Sequence, residues 1–443
     1  MCAPTAKKAV LNVDDLAGML ASGDVKVTSG AQAQDIEINA ALSWTSTQRL
    51  TLDAYHSIAF NKPVVVAGTG AMTITTDDGG SGGDFNFAGK GHVEFWDTSS
   101  NLVINGQTYF LLKSIQVLAH IKGVGTGYHF AQPKDWHIAG NRKKSPLKEY
   151  DGALEGLGNK IAHLTINSAD AQVGLFEDID SNALVRDVTL TSVDITGSGF
   201  RQVVGGLAGG SDGTVINCHV SGKIVATVQN SIVGGLLGAN DGTVVRSSAA
   251  VSVTANDGVL YSGGLIGHNV FGGSVFVAAV RDSFATGSVT GGLKVGGLIG
   301  ETDVGVIANS YATGAVTGSA SASVGGFIGF NALGLDDENT PTSIAGSYST
   351  GAVSGGDGAV VGGYIGTDTV QLGIASSYWD LDSSGIGDPA QGAGNVGNDP
   401  GITGLTDTQL KSGLPSGFDK KVWKQQPDIN NGYPTLIDNA PSK

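Results

Sequence analysis

The sequence is poor in the residues that staple, charge or anchor most proteins. Only two cysteines, Cys2 and Cys218, occur in 443 residues, and they lie far apart. A disulfide framework is therefore excluded as the organising device. Charged residues are 15% of the chain, well below the roughly 25% of ordinary domains. Lys and Arg together number 25 against 40 Asp and Glu, for a net charge of −15. That balance argues against nucleic acid and against docking on anionic lipid, because both reward clustered cations. The one basic cluster, Arg142, Lys143 and Lys144 with Lys148 nearby, stands beside Pro146 and reads as a solvated loop. No uninterrupted apolar run is long enough for a transmembrane helix, so no direct membrane insertion is expected. The opening "MCAPTAKKAVLNVDDLAG" lacks the basic-then-apolar pattern of an export signal. The chain is then either cytosolic or a fragment whose signal lies upstream; Cys2 as a lipidated N-terminus behind an added Met1 is a third reading.

What is abundant is glycine, 70 residues of 443, about twice the usual share. The glycines keep no three-residue period, which excludes collagen. Hydrophobic residues are 40% of the chain and rich in Val, Ile and Leu, so the composition is not that of a disordered protein. Few charges, much glycine and many β-branched residues predict short strands joined by tight corners.

The glycines repeat. A Gly-Gly-x-x-Gly block starts at Gly205, Gly234, Gly263, Gly296, Gly325 and Gly362, at intervals of 29, 29, 33, 29 and 37 residues. A constant unit with variable padding suits stacked coils whose loops absorb insertions. One column reads Val204, Val233, Ser262, Val295, Val324 and Val361; four residues on, another reads Ala208, Leu237, Ile266, Ile299, Ile328 and Ile365. A spacing of four on one strand places both columns in a shared interior. The intervening Leu207, Leu236, Leu265, Leu298, Phe327 and Tyr364 then point the other way, half-exposed. Downstream run a β-branched column (Val215, Val245, Val280, Ile307, Ile344, Ile374), a small one (Cys218, Ser248, Ser283, Ser310, Ser347, Ser377) and a mostly aromatic one (His219, Ala249, Phe284, Tyr311, Tyr348, Tyr378). Glycine supplies positive φ at the corners in this reading, and strand parity around the Ser column is open because a turn can fall inside it. Coils that share one core only when stacked make a parallel β-solenoid.

Before the repeats, residues 34–76 predict short strands at Asp35–Asn39, Leu50–Asp53, Ser57–Asn61, Val64–Ala67 and Met72–Thr75, a solenoid of different coil style. The stretch "LVINGQTYFLLKSIQVLAHI" can end in a short helix. After Tyr378 the pattern stops, and the proline-bearing residues 386–443 are expected to cap the open solenoid end.

"VGGLIG…NSYATGAV" resembles the GLUG repeat of bacterial filamentous-haemagglutinin-like exoproteins. The segments "YDGALEGLGNKIAHLTIN…VGLFEDI", "DIEINAALSW…LTLDAYHSIAFNKPVVVAGTGAMTI" and "SSYWDLDSSG…VWKQQPDINNGYPTL" resemble regions flanking such repeats. The resemblance covers most of the chain from about residue 34. It implies a right-handed parallel β-helix within a large secreted adhesin, exported through an outer-membrane transporter of a two-partner system, and carries over no catalytic residue. The chain departs from that family in lacking the export signal and the N-terminal secretion domain.

Candidate chemistry meets plainer explanations. Cys218 and His219 occupy the Ser and aromatic slots of other rungs, and neighbouring strand residues face opposite ways, whereas a nucleophile and its base must meet at about 3 Å. "DLDSSG" places Asp380, Asp382 and Ser384 at alternating positions with glycine sixth, as a calcium loop begins, but Gln391 stands where the twelfth-position carboxylate belongs. "LDDEN" (335–339) is an acidic loop able to attract a cation or a basic partner. GLUG repeats also resemble segments that accompany some bacterial immunoglobulin proteases, yet none of the 8 histidines forms His-Glu-x-x-His. A polysaccharide lyase or hydrolase would gather Asp, Lys and Arg on adjacent rungs. Arg246 and Arg281 share the ladder region, and Asp187, Asp194, Asp212 and Asp241 are read as turn residues; "DGT" recurs at the last two, which favours a turn.

The expected fold is an all-β, right-handed parallel β-helix with an irregular C-terminal cap. The expected divisions are haemagglutinin-like coils at 1–115, a connecting segment at 116–185, the GLUG-repeat helix at 186–385 and the cap at 386–443. The expected function is a non-catalytic, secreted or cell-surface adhesin segment contacting glycans or proteins of a host or neighbouring cell. No catalytic, cofactor-binding or metal residue is assigned. A structural spacer and a polysaccharide-acting enzyme are the alternatives.

Overall fold

The structure is a computed structural model; it describes residues 1–120, 127–270, 278–303, 305–333 and 342–441. The fold is the expected one, a right-handed parallel β-solenoid with an irregular C-terminal cap. It divides into two compact units, one of residues 1–136, 152–161 and 185–189, the other of 137–151, 162–184 and 190–443. Among the described residues no helix is long and apolar enough to cross a membrane.

In the first unit each coil has three short sides that stack in parallel register. Ile36–Ile38 lies on Ile58–Phe60 and then Phe85–Phe87. Leu42–Trp44 lies on Val64–Val66 and then Val93–Phe95. Val25–Thr28, Arg49–Asp53, Ala71–Thr75 and Leu102–Ile104 form the third side. The strands read from sequence sit within about a residue of these bounds; Leu42–Trp44 is an addition. Alternation sends Leu50, Leu52, Met72 and Ile74 inward, where they meet Trp44, Phe60 and Phe95 in a core of large side chains. The anticipated short helix is Ile115–His120.

A helix at Val13–Leu20 was not expected. Asn12 caps it, its side chain accepting from the Asp14 amide at 2.8 Å, and Asp14 and Asp15 sit in the first turn. Val13, Leu16, Ala17, Met19 and Leu20 pack on the core. The unit also buries charge: Arg186 Nε stands 3.1 Å from Glu155 and 2.9 Å from Asp187, Nη2 is 3.1 Å from Asp84, and the guanidinium lies 4.1 Å from the Phe85 ring.

In the second unit the Val and Ile columns do point inward, but not from one strand. The Val column lies within strands such as Ile232–Gly234 in one parallel sheet, and the Ile column opens strands such as Leu237–Asn240 in another. The chain bends between them, so the Leu/Phe/Tyr column at the bend also points inward. Leu207, Leu236, Leu265, Leu298, Phe327 and Tyr364 are all fully buried, which corrects the half-exposed expectation.

The glycines of the block serve close approach rather than positive φ. A Cβ on the first glycine of the pair would lie 1.9 Å from the Ile266 carbonyl oxygen at Gly263 and 1.9 Å from that of Ile299 at Gly296. On the second it would strike the next rung's backbone, 2.1 Å from Gly326 O at Gly297. Positive φ falls at other corners. At one it is carried by Asn217 (52°), Arg246 (49°), Asp282 (51°), Asn309 (50°), Gly346 (61°) and Ser376 (49°). At the corner before the Val column it is carried by Arg201 (55°), Asn230 (59°), Gly258 (86°), Gly291 (85°), Ser321 (58°) and Gly358 (73°), where glycine does take the expected part.

At that corner the downstream columns need a one-residue correction in the second rung. Val215 pairs with Val244, not Val245, and His219 pairs with Ser248, which pairs with Phe284. Ala249 turns inward opposite the glycine bend, its Cβ 2.8 Å from where one on Gly235 would stand. The doubled letters of "VVRSSAA" offer two frames, and a slip of one residue exchanges faces. The small column is then Cys218, Ser247, Ser283, Ser310, Ser347 and Ser377. Each Ser hydroxyl donates to the carbonyl two residues back, at 3.0 Å for Ser247 and 2.9 Å for Ser310. The Ser247, Ser283, Ser310 and Ser347 hydroxyls also accept the amide of the preceding rung, as Ser247 Oγ does from Cys218 N at 3.1 Å. A turn does fall inside this column.

A second polar ladder is buried. Asn240, Asn269, Thr302, Asn331 and Asp368 stack in register, all 0% exposed, with Asn240 Nδ2 donating to Asn269 Oδ1 at 2.8 Å and Asn331 Nδ2 to Asp368 Oδ1 at 3.0 Å. These side-chain bonds offset part of the cost of such burial, while Asn240 Oδ1, Asn331 Oδ1 and Asp368 Oδ2 are buried with no hydrogen-bond partner among the described residues.

The cap does two things. Gln391 and Gly392 accept the amides of Gly363, Tyr364 and Ile365, and Ile402–Leu405 pairs in parallel with Ile374–Asp380, so the last rung's backbone is covered. The remainder runs back along the flank. Its helix Asp407–Lys411 and the hairpin of Trp423–Gln425 with Pro434–Leu436 cover the aromatic column. Phe284, Tyr311, Tyr348 and Tyr378 share a hydrophobic cluster with Leu410, Phe418, Trp423, Tyr433 and Leu436. Tyr348 OH donates to Pro434 O at 2.6 Å, and Asn439 reaches the Ser247 and Asp282 carbonyls.

Candidate functional site: a seam beside the glycine bend

The glycine bend folds two outward side chains of the same rung against each other. They stand two residues before the first glycine and five after it, as at Tyr261 and His268 or Lys294 and Glu301. The third glycine keeps the seam open, since a Cβ on Gly267 would lie 2.6 Å from the Ile232 side chain.

Most of the seam is small or apolar, but two adjacent rungs concentrate chemistry on it. Tyr261 pairs in register with Lys294 and Ser323, and His268 with Glu301 and Phe330. The Tyr261 and His268 rings lie 4.6 Å apart. His268 Nε2 is 3.1 Å from Asp303 Oδ2, and Lys294 Nζ is ion-paired with Glu301. The Lys294 ammonium also sits 4.0 Å from the Phe330 ring centroid and 5.1 Å from that of Tyr261. Burial raises the Glu301 carboxyl against the opposing pull of Lys294. Burial, with Glu301 and Asp303 nearby, pushes the Tyr261 phenol up to about 12. One ligand atom each from His268, Glu301 and Asp303 falls within 4.8 Å of the others, so an imidazole and two carboxylates converge on one point.

Sequence reasoning passed over this seam. The signal was present in two columns not compared: Val203, Ile232, Tyr261, Lys294, Ser323, Val360 beside Gly210, Ala239, His268, Glu301, Phe330, Thr367. Read together, they put a phenol, an ammonium, a carboxylate and an imidazole in two successive rungs.

The residues singled out from sequence lie elsewhere. Cys218 is fully buried with its thiol 3.4 Å from Ile216 O, while His219 bonds Ser248 Oγ at 2.8 Å and Asn217 Oδ1 at 3.1 Å. Of the calcium-like motif, Asp380 Oδ1 accepts the Asp382 and Ser383 amides and Oδ2 accepts Tyr433 OH at 2.7 Å; Asp382 Oδ2 accepts the Asp407 amide, and Ser384 Oγ the Ile386 amide. Those bonds make a polar turn that ties the last rung to the cap. Asp187, Asp212 and Asp241 do sit at bends, but Asp194 lies inside the strand Thr189–Gly197, a correction. Lys143, Lys144 and Lys148 are exposed. The acidic "LDDEN" falls outside the described residues.

Comparison with known proteins supports the repeat itself. The family model described as "The GLUG motif" matches residues 201–225. A Gly-rich membrane protein of Evansella cellulosilytica is 32% identical over 120 residues, 24% of this chain and 14% of that protein. Halomucin of Haloquadratum walsbyi is 34% identical over 92 residues, 19% of this chain and 1% of that protein. Each alignment thus spans a small fraction of the relative's length. No solved structure matches the chain. The chain is therefore a GLUG-motif-containing β-solenoid protein, distantly related to these two much longer proteins.

Proposed function

We propose that this chain is a non-catalytic, adhesin-like segment of an exported or surface-attached protein, whose rigid stack presents variable loops to glycans or proteins of another cell. One observation carries the reading: length variation is greatest at one corner of the rung. After the polar-ladder residue, two residues follow Asn240 before the next strand, nine follow Asn269, three follow Thr302, eleven follow Asn331 and five follow Asp368. A fixed scaffold with variable loops at one edge suits recognition. Secretion through a two-partner, filamentous-haemagglutinin-like route, with an outer-membrane transporter as partner, belongs to this proposal on the strength of the flanking sequence resemblance. The name of the Evansella relative, a membrane protein, is compatible with a cell-envelope setting.

The test is incubation of the purified chain with a panel of acidic and neutral polysaccharides, followed by polymer sizing and co-sedimentation. The expected result is intact polymer with protein carried down by at least one of them. Shortened polymer overturns the non-catalytic reading. Intact polymer without co-sedimentation, repeated with cell-surface proteins, leaves a spacer. The spacer reading has its own support in the backbone covering at the last rung, which keeps the stack from adding further strands edge to edge.

A further inference from the structure

We propose that His268, Glu301 and Asp303 form a binding site for a divalent transition metal of the zinc type, with Lys294 as an internal competitor. The site goes beyond the adhesin reading and does not depend on it. His268 stands on one rung and Glu301 directly beside it on the next, with Asp303 two residues along the same strand path. Their ligand atoms lie within 4.8 Å of one another, and the 3.1 Å between His268 Nε2 and Asp303 Oδ2 is close to the ~3.3 Å that separates two ligands around a tetrahedral ion with bonds of about 2.0–2.1 Å. A metal entering here takes the place of the proton shared by that pair. One imidazole with two carboxylates suits zinc and its neighbours better than calcium, which prefers an all-oxygen shell.

Lys294 makes the site conditional. Its ammonium neutralises Glu301, whose side chain is only 8% exposed, so the carboxylate is already holding a cation. The same ammonium lies 4.0 Å from the Phe330 ring centroid, a cation–π contact that it can keep on leaving Glu301 to a metal. Binding would brace two rungs at the foot of the variable corner, where Asp303 N donates to Asn269 O at 3.1 Å.

The experiment is titration of the full chain with Zn²⁺ at pH 7.5 by calorimetry, and with Co²⁺ by visible absorption. One ion per chain is expected, with tetrahedral-type Co²⁺ bands. His268→Gln and Asp303→Asn should each weaken binding by about tenfold or more. Lys294→Gln should tighten it by about tenfold, since a competing cation is removed. That gain keeps the test decisive if a ligand variant fails to fold, which circular dichroism reports. Absence of stoichiometric binding, or binding indifferent to His268→Gln and unimproved by Lys294→Gln, overturns the site.

Discussion

The two units solve the solenoid problem with opposite allocations of bulk. In the first, Trp44, Phe60, Phe95 and Met72 fill the coil interior, so the rungs are held by large side chains in contact with their neighbours. In the repeat body the glycine bend draws backbones together, and the interior opposite it shrinks to Ala249, Ala285 and Ala312. Its aromatic column moves outside the coil, where it needs cover, and the C-terminal segment supplies that cover from 86 residues away in the case of Tyr348 and Pro434. A thin core built on glycine thus ties the repeats to a distant segment. The first unit's rungs pair at separations set by one turn of coil, as Ile36 does with Ile58.

The largest effect should come from breaking that dependence. Tyr348 stacks on Tyr311 at 5.1 Å, is fully buried and bonds Pro434. Tyr348→Ala should cost about 4 kcal/mol and open residues 407–436 to limited proteolysis, while the first unit's unfolding stays unchanged. Continued protection of the C-terminal segment would contradict the covering role. Next comes the glycine bend. Gly297→Ala forces a Cβ to within 2.1 Å of Gly326 O and 3.0 Å of the Ala312 Cβ, and overpacking of this kind costs about 3 kcal/mol. A thermal unfolding curve equal to the parent's would refute close approach as the reason for glycine.

Much of this contrast was legible in the sequence. The recurrence of the Gly-Gly blocks, as a constant unit with variable padding, specifies stacked coils, and β-branched columns specify parallel ladders. The role of the glycines was not, because a bend inside the block breaks the strand alternation on which the sidedness of Leu265 or Tyr364 was judged. The slip at Val245, Ser248 and Ala249 has a similar origin: with Val-Val and Ser-Ser doubled, composition matches in either frame, and only the 29-residue interval from Val215 to Val244 selects the right one. The seam at His268 and Glu301 was hidden because its members join across a bend and across rungs, so no local motif spells it.

A smaller effect is read by pH. In the first unit, burial and then the charge of Asp187 raise the Glu155 carboxyl against the opposing Arg186 guanidinium. In the second unit's cap Asp399 is buried with no hydrogen-bond donor on either oxygen, and burial followed by the charge of Asp368 pushes its carboxyl up to about 7. Its unfolded value lies near 4, so the folded state binds the extra proton between those limits. Stability from this group is full below pH ~4 and is lost as pH rises to ~7. Urea midpoints should fall from pH 5 to pH 8, and Asp399→Asn should flatten that slope; a parent midpoint that rises relative to the variant over the interval would reverse the sign.

The smallest effect tests glycine where nothing presses on it. Gly18 sits in the helix Val13–Leu20, exposed, and a Cβ there meets nothing within 4 Å. A glycine inside a helix loses more backbone freedom on folding than alanine does, at a cost of about 0.5–1 kcal/mol. Gly18→Ala should therefore stabilise the first unit by about that amount, the opposite sign to Gly297→Ala for the same added methyl group. Differential scanning calorimetry reads both changes. Opposite shifts would establish that glycine in this chain is required by backbone proximity at the bend and is merely tolerated in the helix; stabilisation at both positions would mean that chain entropy decides the outcome even at the bend, and destabilisation at both would refute the entropic account of Gly18.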